Sequence, residues 1–379
     1  MARVLILGAG FGGISTAVAL REQLPDTDEI VLIDRRDDFA MGLRKTWAIL
    51  RISPIAYGTR SLAALATRGI AIRQGEITAV QPATRSATID GEVVEADALV
   101  VALGAEAAPQ TVPGLAQYGR NAWDRSHLDQ VHAAVDDFRG GRVVVGIFGG
   151  PYPCPPAPYE LAMLVGERFD ARGIDADLTV FGPAPIALPI LGAAGCAPLD
   201  GRLAERGITF LAGHVATEVT QHAIRFVAAE ELAFDLLLAV PPHQCPGVLV
   251  EAGLAPAGGW VKVDRGTLET GHEQVYAIGD ATAIPLANGM PLPKAGLFAQ
   301  EQGEAVAARI AARLRGEQPT ATFDGRGACF IEMGDGMAST ISGDFYADPP
   351  AVALSEPSVE SRVAKEHFEM DRMARWFGS

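Results

Sequence analysis

Short, unbroken apolar runs recur along the chain, and most of them stop at a glycine or an acid. Residues 3–7 form the first run and residues 30–33 the second, which ends at Asp34. Similar runs lie within 97–104, 143–148, 177–181, 234–240 and 270–280. Runs apolar on both faces and this short predict strands buried inside parallel sheets. Helical spacing fills the intervals up to Leu24 and over 128–138, 160–169 and 297–314. Strands alternating with helices predict an α/β chain with two Rossmann-like dinucleotide-binding domains. The first is expected to be discontinuous, over 1–108 and 265–320, with the second over 109–264. Residues 321–379 are expected to form a small C-terminal α+β domain. It ends in an amphipathic helix over 359–377, with Val359, Val363, Met370, Met373 and Phe377 recurring at helical spacing. Charges of both signs flank that face, so it reads as a docking or dimer helix rather than one lying on a membrane.

The first strand runs into Gly8-Ala-Gly10-Phe-Gly-Gly13. Gly8 makes the turn, Gly10 lets the backbone approach a pyrophosphate, and Gly13 allows a helix to pack close to the strand. Asp34 ends the second strand, where it can accept hydrogen bonds from a ribose. The strand over 97–104 carries Ala102 and ends in a second glycine turn at Gly104. Arg35, Arg36, Arg44, Lys45 and Arg51 lie in an irregular stretch and are either phosphate ligands or solvated; Arg35 and Lys45 are counted with the site. A later strand ends at Gly279-Asp280, followed by Pro293-Lys294-Ala-Gly296. An acid at that strand end can bind the ribityl chain of FAD, and an NAD site has no need of it. Asp280 therefore assigns FAD to the first site.

The second domain departs from this scheme. After the strand ending at Phe148 come Gly149-Gly150 and then Pro-Tyr-Pro-Cys-Pro-Pro-Ala-Pro-Tyr-Glu160. Proline has no backbone N–H, so this loop is poorly built to cradle phosphate. It is well built to hold one thiol, Cys154, in a stiff frame.

Composition narrows the function. A net charge of −15 argues against nucleic acid, since nothing would neutralise phosphates. The four cysteines, Cys154, Cys196, Cys245 and Cys329, include no CxxC pair, so no zinc knuckle or c-type haem attachment and no metal site is expected. No run of about 20 apolar residues predicts a transmembrane helix. The expected location is the cytoplasm, free or peripheral to a membrane. A chain renumbered after removal of a signal peptide would read the same and would belong in the periplasm.

Together these pieces resemble the disulfide-reductase-like flavoproteins with two dinucleotide domains. The stretch from Cys154 to Glu160, with Pro241-Pro242-His243, Pro293-Lys294-Ala-Gly296 and Gly327-Ala-Cys329, is similar to one branch of them: the sulfide:quinone oxidoreductases and the flavoprotein subunit of flavocytochrome c sulfide dehydrogenase. The resemblance implies that Cys154 and Cys329 meet at the flavin as a redox-active disulfide. It implies that Lys294 lies near the flavin pyrimidine ring and that Glu160, or His243, moves protons. Cys196 and Cys245 have no counterpart and are expected to be inert. No cysteine lies between Met1 and Gly150. That favours the two-cysteine arrangement and makes the FAD non-covalent.

The expected function is FAD-dependent oxidation of sulfide or a related sulfur species through Cys154 and Cys329. A quinone or a separate cytochrome c would accept the electrons. Two other functions fit the same domains: an NAD(P)H-dependent flavin reductase such as a type II NADH:quinone oxidoreductase, and a non-enzymatic flavin-bearing partner or sensor subunit.

Overall fold

In the computed structural model, which describes residues 1–228 and 230–378, the apolar runs become parallel strands. β1 (Arg3–Leu7), β2 (Glu29–Asp34), β3 (Ala71–Gln74) and β4 (Ala98–Val101) come first. A second sheet follows, made of β5 (Arg120–Asn121), β6 (Gly141–Ile147), β7 (Ala176–Phe181), β8 (Thr209–Leu211) and β9 (Leu236–Val240). The chain then returns with β10 (Val275–Ala277), giving the first sheet the order β10-β4-β1-β2-β3. The second sheet has the order β5-β9-β6-β7-β8. Strand order reverses beside β1, which is where an open parallel sheet leaves a crevice for a ligand.

The return to the first domain comes earlier than position 265. Cys245, Leu249, Leu254 and Val261 already pack against Leu5, Leu7, Leu99 and Val101 of β1 and β4. Helix α1 (Phe11–Arg21) follows the glycine turn. Further along the chain come α2 (Arg44–Ile49), α3 (Ala157–Asp170) and α4 (Gly296–Leu314). α4 crosses α1 so closely that a Cβ on Gly303 would lie 2.6 Å from the Gly12 carbonyl oxygen. This crossing holds the segment from Gly279 to Gly296 against the first glycine turn.

The tail forms an antiparallel sheet, β11 (Arg326–Gly334), β12 (Met337–Asp344) and β13 (Ala351–Leu354), followed by α5 (Val359–Phe377). Among the described residues it has no core of its own. Ile331, Met333 and Ile341 join the core of the second domain, while Phe345, Met373 and Trp376 join that of the first. The tail thus clamps the two domains together.

The face of α5 differs from the one its apolar spacing predicts. Val359, Val363 and Met370 are 57%, 41% and 63% exposed, whereas Lys365, Glu369, Met373 and Trp376 are buried. A stripe that starts with two charges can turn inward because other elements supply their partners: Glu160 and Glu332 for Lys365, and Arg44 for Glu369.

Trp376 is fully buried and meets Phe11 and Phe39 edge-on, each at 5.4 Å between ring centres. Trp376→Ala should cost about 3–5 kcal/mol of stability. Urea unfolding followed by far-UV circular dichroism would show it as a lower midpoint.

Candidate active site

A cleft of about 720 Å³ opens over the first glycine turn. Gly8, Gly10, Asp34, Arg35, Lys45, Ala102, Gly104, Gly279, Asp280 and Gly296 all line it. Gly8 has φ +101° and sits so close to the next strand that a Cβ there would lie 2.4 Å from the Ala102 carbonyl oxygen. Gly13 lies under the turn rather than in the cleft, where a Cβ would come within 1.8 Å of the Gly8 carbonyl oxygen. Asp34 fixes the turn by accepting the Ala9 N–H at 2.8 Å. No side chain caps α1, so the N–H groups of its first turn are free for an anionic ligand. Burial raises the carboxyl pKa of Asp280 above its usual range, and it lowers that of Lys45, whose amine donates to the Trp123 carbonyl at 2.8 Å.

Lys294 stands elsewhere. It does not line this cleft; its amine is buried and donates to the carbonyls of Asp280 at 2.5 Å and Thr282 at 3.0 Å. The amine also lies 3.5 Å from the centre of the Trp260 ring. Burial pulls its pKa down to about 8. Its backbone carbonyl accepts the Cys154 N–H at 2.8 Å, so Lys294 ties the cysteine loop to the Gly279-Asp280 turn.

Cys154 precedes α3 with φ +58°, a conformation that ordinary residues adopt only when their surroundings impose it. Here the imposing groups are the flanking prolines and the bond to Lys294. Pro153, its neighbour, lines the cleft and accepts the Trp123 indole N–H at 2.9 Å. Cys329 lies in β11. Both cysteines are half-buried with free thiols, and the two thiols lie close enough to shift each other's titration. Interaction with Cys154 holds Cys329 below the usual thiol range despite burial. The same interaction, together with burial, pushes Cys154 well up. Of the two, Cys329 is the thiol more readily ionised.

Glu160, in the first turn of α3, is buried, and its charge acts on both thiols. It is not a helix cap. Its Oε2 accepts the Glu332 N–H at 2.9 Å and the Lys365 ammonium at 2.8 Å. Burial raises its pKa, opposed in part by Lys365. His243 lines the cleft with Nδ1 2.8 Å from the Pro241 carbonyl oxygen, and burial lowers its pKa to about 4. Sequence reasoning missed Lys365, Glu332 and Trp123. Nothing local marks them, because each acts through a partner far along the chain.

In reduced protein, Cys329 should be alkylated by iodoacetamide before Cys154, and before Cys196 and Cys245, whose thiols are buried and raised by burial. Cys154→Ala removes the neighbouring thiol and should move Cys329 alkylation to higher pH, read by mass spectrometry across a pH series.

A model of the pyridine nucleotide-disulphide oxidoreductase family matches residues 2–303. The sulfide-quinone reductase of Aquifex aeolicus is 25% identical, over 91% of this chain and 83% of that protein. A type II NADH:quinone oxidoreductase of Staphylococcus haemolyticus is 24% identical, over 84% of each chain. The solved structure of the Aquifex aeolicus sulfide:quinone oxidoreductase superposes with a TM-score of 0.90 at 23% identity, covering 100% of this chain and 92% of that one. These matches imply a flavin cofactor. The cleft suits one, with an uncapped helix N-terminus, open space where a Gly10 Cβ would stand and carboxylates at two strand ends. Asp34→Ala should weaken flavin binding about 10–100-fold, the worth of a charged hydrogen bond, measured by flavin retained through gel filtration. With more than half its length matched by the family model, the chain belongs to the pyridine nucleotide-disulphide oxidoreductase family.

Proposed function

We propose that this protein is an FAD-dependent oxidoreductase that oxidises sulfide, or a related small sulfur species, through Cys154 and Cys329. The FAD is held non-covalently across the first domain by the glycine turn, Asp34, Arg35, Lys45 and Asp280. The observation that carries the proposal is the meeting of two cysteines, distant in sequence, beside the cleft and next to a buried acid. A bound flavin supplies a two-electron acceptor there. The chain supplies the sulfur chemistry. Hydrosulfide attacks Cys154 in the oxidised pair, the S–S bond breaks, and Cys154 keeps the new sulfur as a persulfide. Cys329 leaves as the thiolate, since the thiol of lower pKa is the better leaving group. When the Cys154–Cys329 bond forms again, the outer sulfur leaves at the zero-valent level to a second hydrosulfide and two electrons are released, which a bound flavin would take and pass to a quinone, the acceptor in the Aquifex aeolicus relative's name, or to a separate cytochrome c. Among the described residues, no helix is long and apolar enough to cross a membrane.

The second domain argues against a pyridine nucleotide as donor. Prolines occupy positions 151, 153, 155, 156 and 158, and Pro156 and Pro158 flank the start of α3, which supplies few N–H groups for a pyrophosphate. A carboxylate, Glu160, fills its first turn. β7 ends at Phe181-Gly182, with no acid for a ribose.

Anaerobic mixing with sulfide, followed at the flavin absorbance band, tests this. Sulfide should bleach the flavin or raise a charge-transfer band, and Cys154→Ser and Cys329→Ser should slow that by on the order of 10³-fold or more. Rapid bleaching by NADH with no response to sulfide would overturn the proposal in favour of the NADH-dependent reductase.

A further inference from the structure

The sulfur chemistry assigns no task to a buried cation of the tail. Lys365, on α5, is buried, and its ammonium donates to Glu160 Oε2 and Glu332 Oε1, each at 2.8 Å. Arg362, one turn earlier, donates to the other oxygen of Glu332 at 3.0 Å. Trp47, from α2, donates its indole N–H to Glu332 Oε1. The other charged groups around the pair are accounted for. Glu369 is matched by Arg44, and the Lys45 amine is held by the Trp123 carbonyl. Tyr152, beside Cys154, stays neutral because burial raises its phenol.

Two buried carboxylates, Glu160 and Glu332, face Lys365 and Arg362, and Arg362 also donates to the exposed Glu366 at 2.6 Å, so no cation of the cluster is left over. A thiolate on Cys329 adds one unmatched charge in a place where unmatched charge is costly. Lys365 favours the thiolate form of both cysteines, and Glu160 opposes it. Neutralising Glu160 would offset that added charge. Burial raises the Glu160 carboxyl, opposed in part by Lys365.

We propose that Lys365 is a positioning residue that couples the charge of Cys329 to the protonation of Glu160. In the reduced pair, the Cys329 thiol gives its proton to Glu160, so a thiolate and a neutral acid replace a thiol and a carboxylate. The S–H bond breaks, an O–H bond forms and the net charge does not change. Lys365 holds Glu160 against β11, keeps it beside the thiols and supplies the cation that the thiolate then faces. Burial of Lys365 itself is offset by the two carboxylates, which keep it charged. The tail clamp of the fold is in this way part of the redox site.

This inference rests on the redox role proposed for the pair, yet its readout needs no sulfide. The test is the pH profile of Cys329 alkylation in reduced holoenzyme, with flavin content and circular dichroism as folding controls. Lys365→Met should move the midpoint up by about one pH unit or more, a roughly tenfold slower reaction at neutral pH. Lys365→Arg should restore most of it, and Glu160→Gln should move it down. A folded Lys365→Met protein with the wild-type profile would overturn the proposal. If Lys365→Met does not fold, Glu160→Gln decides: a downward shift supports the coupling, and an unchanged or upward one overturns it. A protein that ignores sulfide yet shows these shifts would sink the proposed function and leave this inference standing.

Discussion

The contact on which the site depends is the buried Lys365 ammonium between Glu160 and Glu332. It joins three segments that sequence keeps far apart: the helix after the Cys154 loop, the strand that carries Cys329, and the C-terminal helix. Burying such charges gains little over a well-packed apolar core, but removing one partner from a finished pair costs about 3–5 kcal/mol. The cluster therefore acts less as a store of stability than as a register device. α3 and β11 can approach only with Glu160 and Glu332 both matched, and that approach puts the two sulfurs side by side.

The rest of the fold serves the same geometry. The α1–α4 crossing at Gly12 and Gly303 fixes the Gly279-Asp280 turn at the cleft. Lys294 carries that placement to the sulfur side, with its amine on the Asp280 carbonyl and its own carbonyl on the Cys154 N–H. A lysine at this place needs no contact with a flavin or a thiolate to matter. It sets the distance between the two halves of the site. The second domain keeps the parallel sheet of a dinucleotide binder but spends its ligand loop on holding a thiol.

Local patterns made the first half of this arrangement legible. Gly8, Gly10, Gly13 and Asp34 each answer a steric or hydrogen-bonding demand set within a few residues, and they stand where that demand places them. The strands were legible for the same reason, since a run buried on both faces announces itself. The meeting of Cys154 and Cys329 was not legible from spacing and came only from resemblance. α5 shows why the remainder was hidden. Apolar periodicity picked out Val359, Val363 and Met370, all exposed, because it cannot see that Lys365 and Glu369 find partners on α3, β11 and α2. Whether a charge is buried is decided by its partners, and these lie from 33 to 325 residues away.

The central claim is that the cysteine pair is a second redox centre beside the flavin. An anaerobic dithionite titration of oxidised holoenzyme, counted against flavin content, tests it most directly. The account predicts uptake of about four electrons per flavin in the wild-type protein and about two in Cys329→Ser, because a disulfide and a flavin each take two. Uptake of about two electrons in both proteins would contradict it, leaving the two thiols as neighbours without redox function.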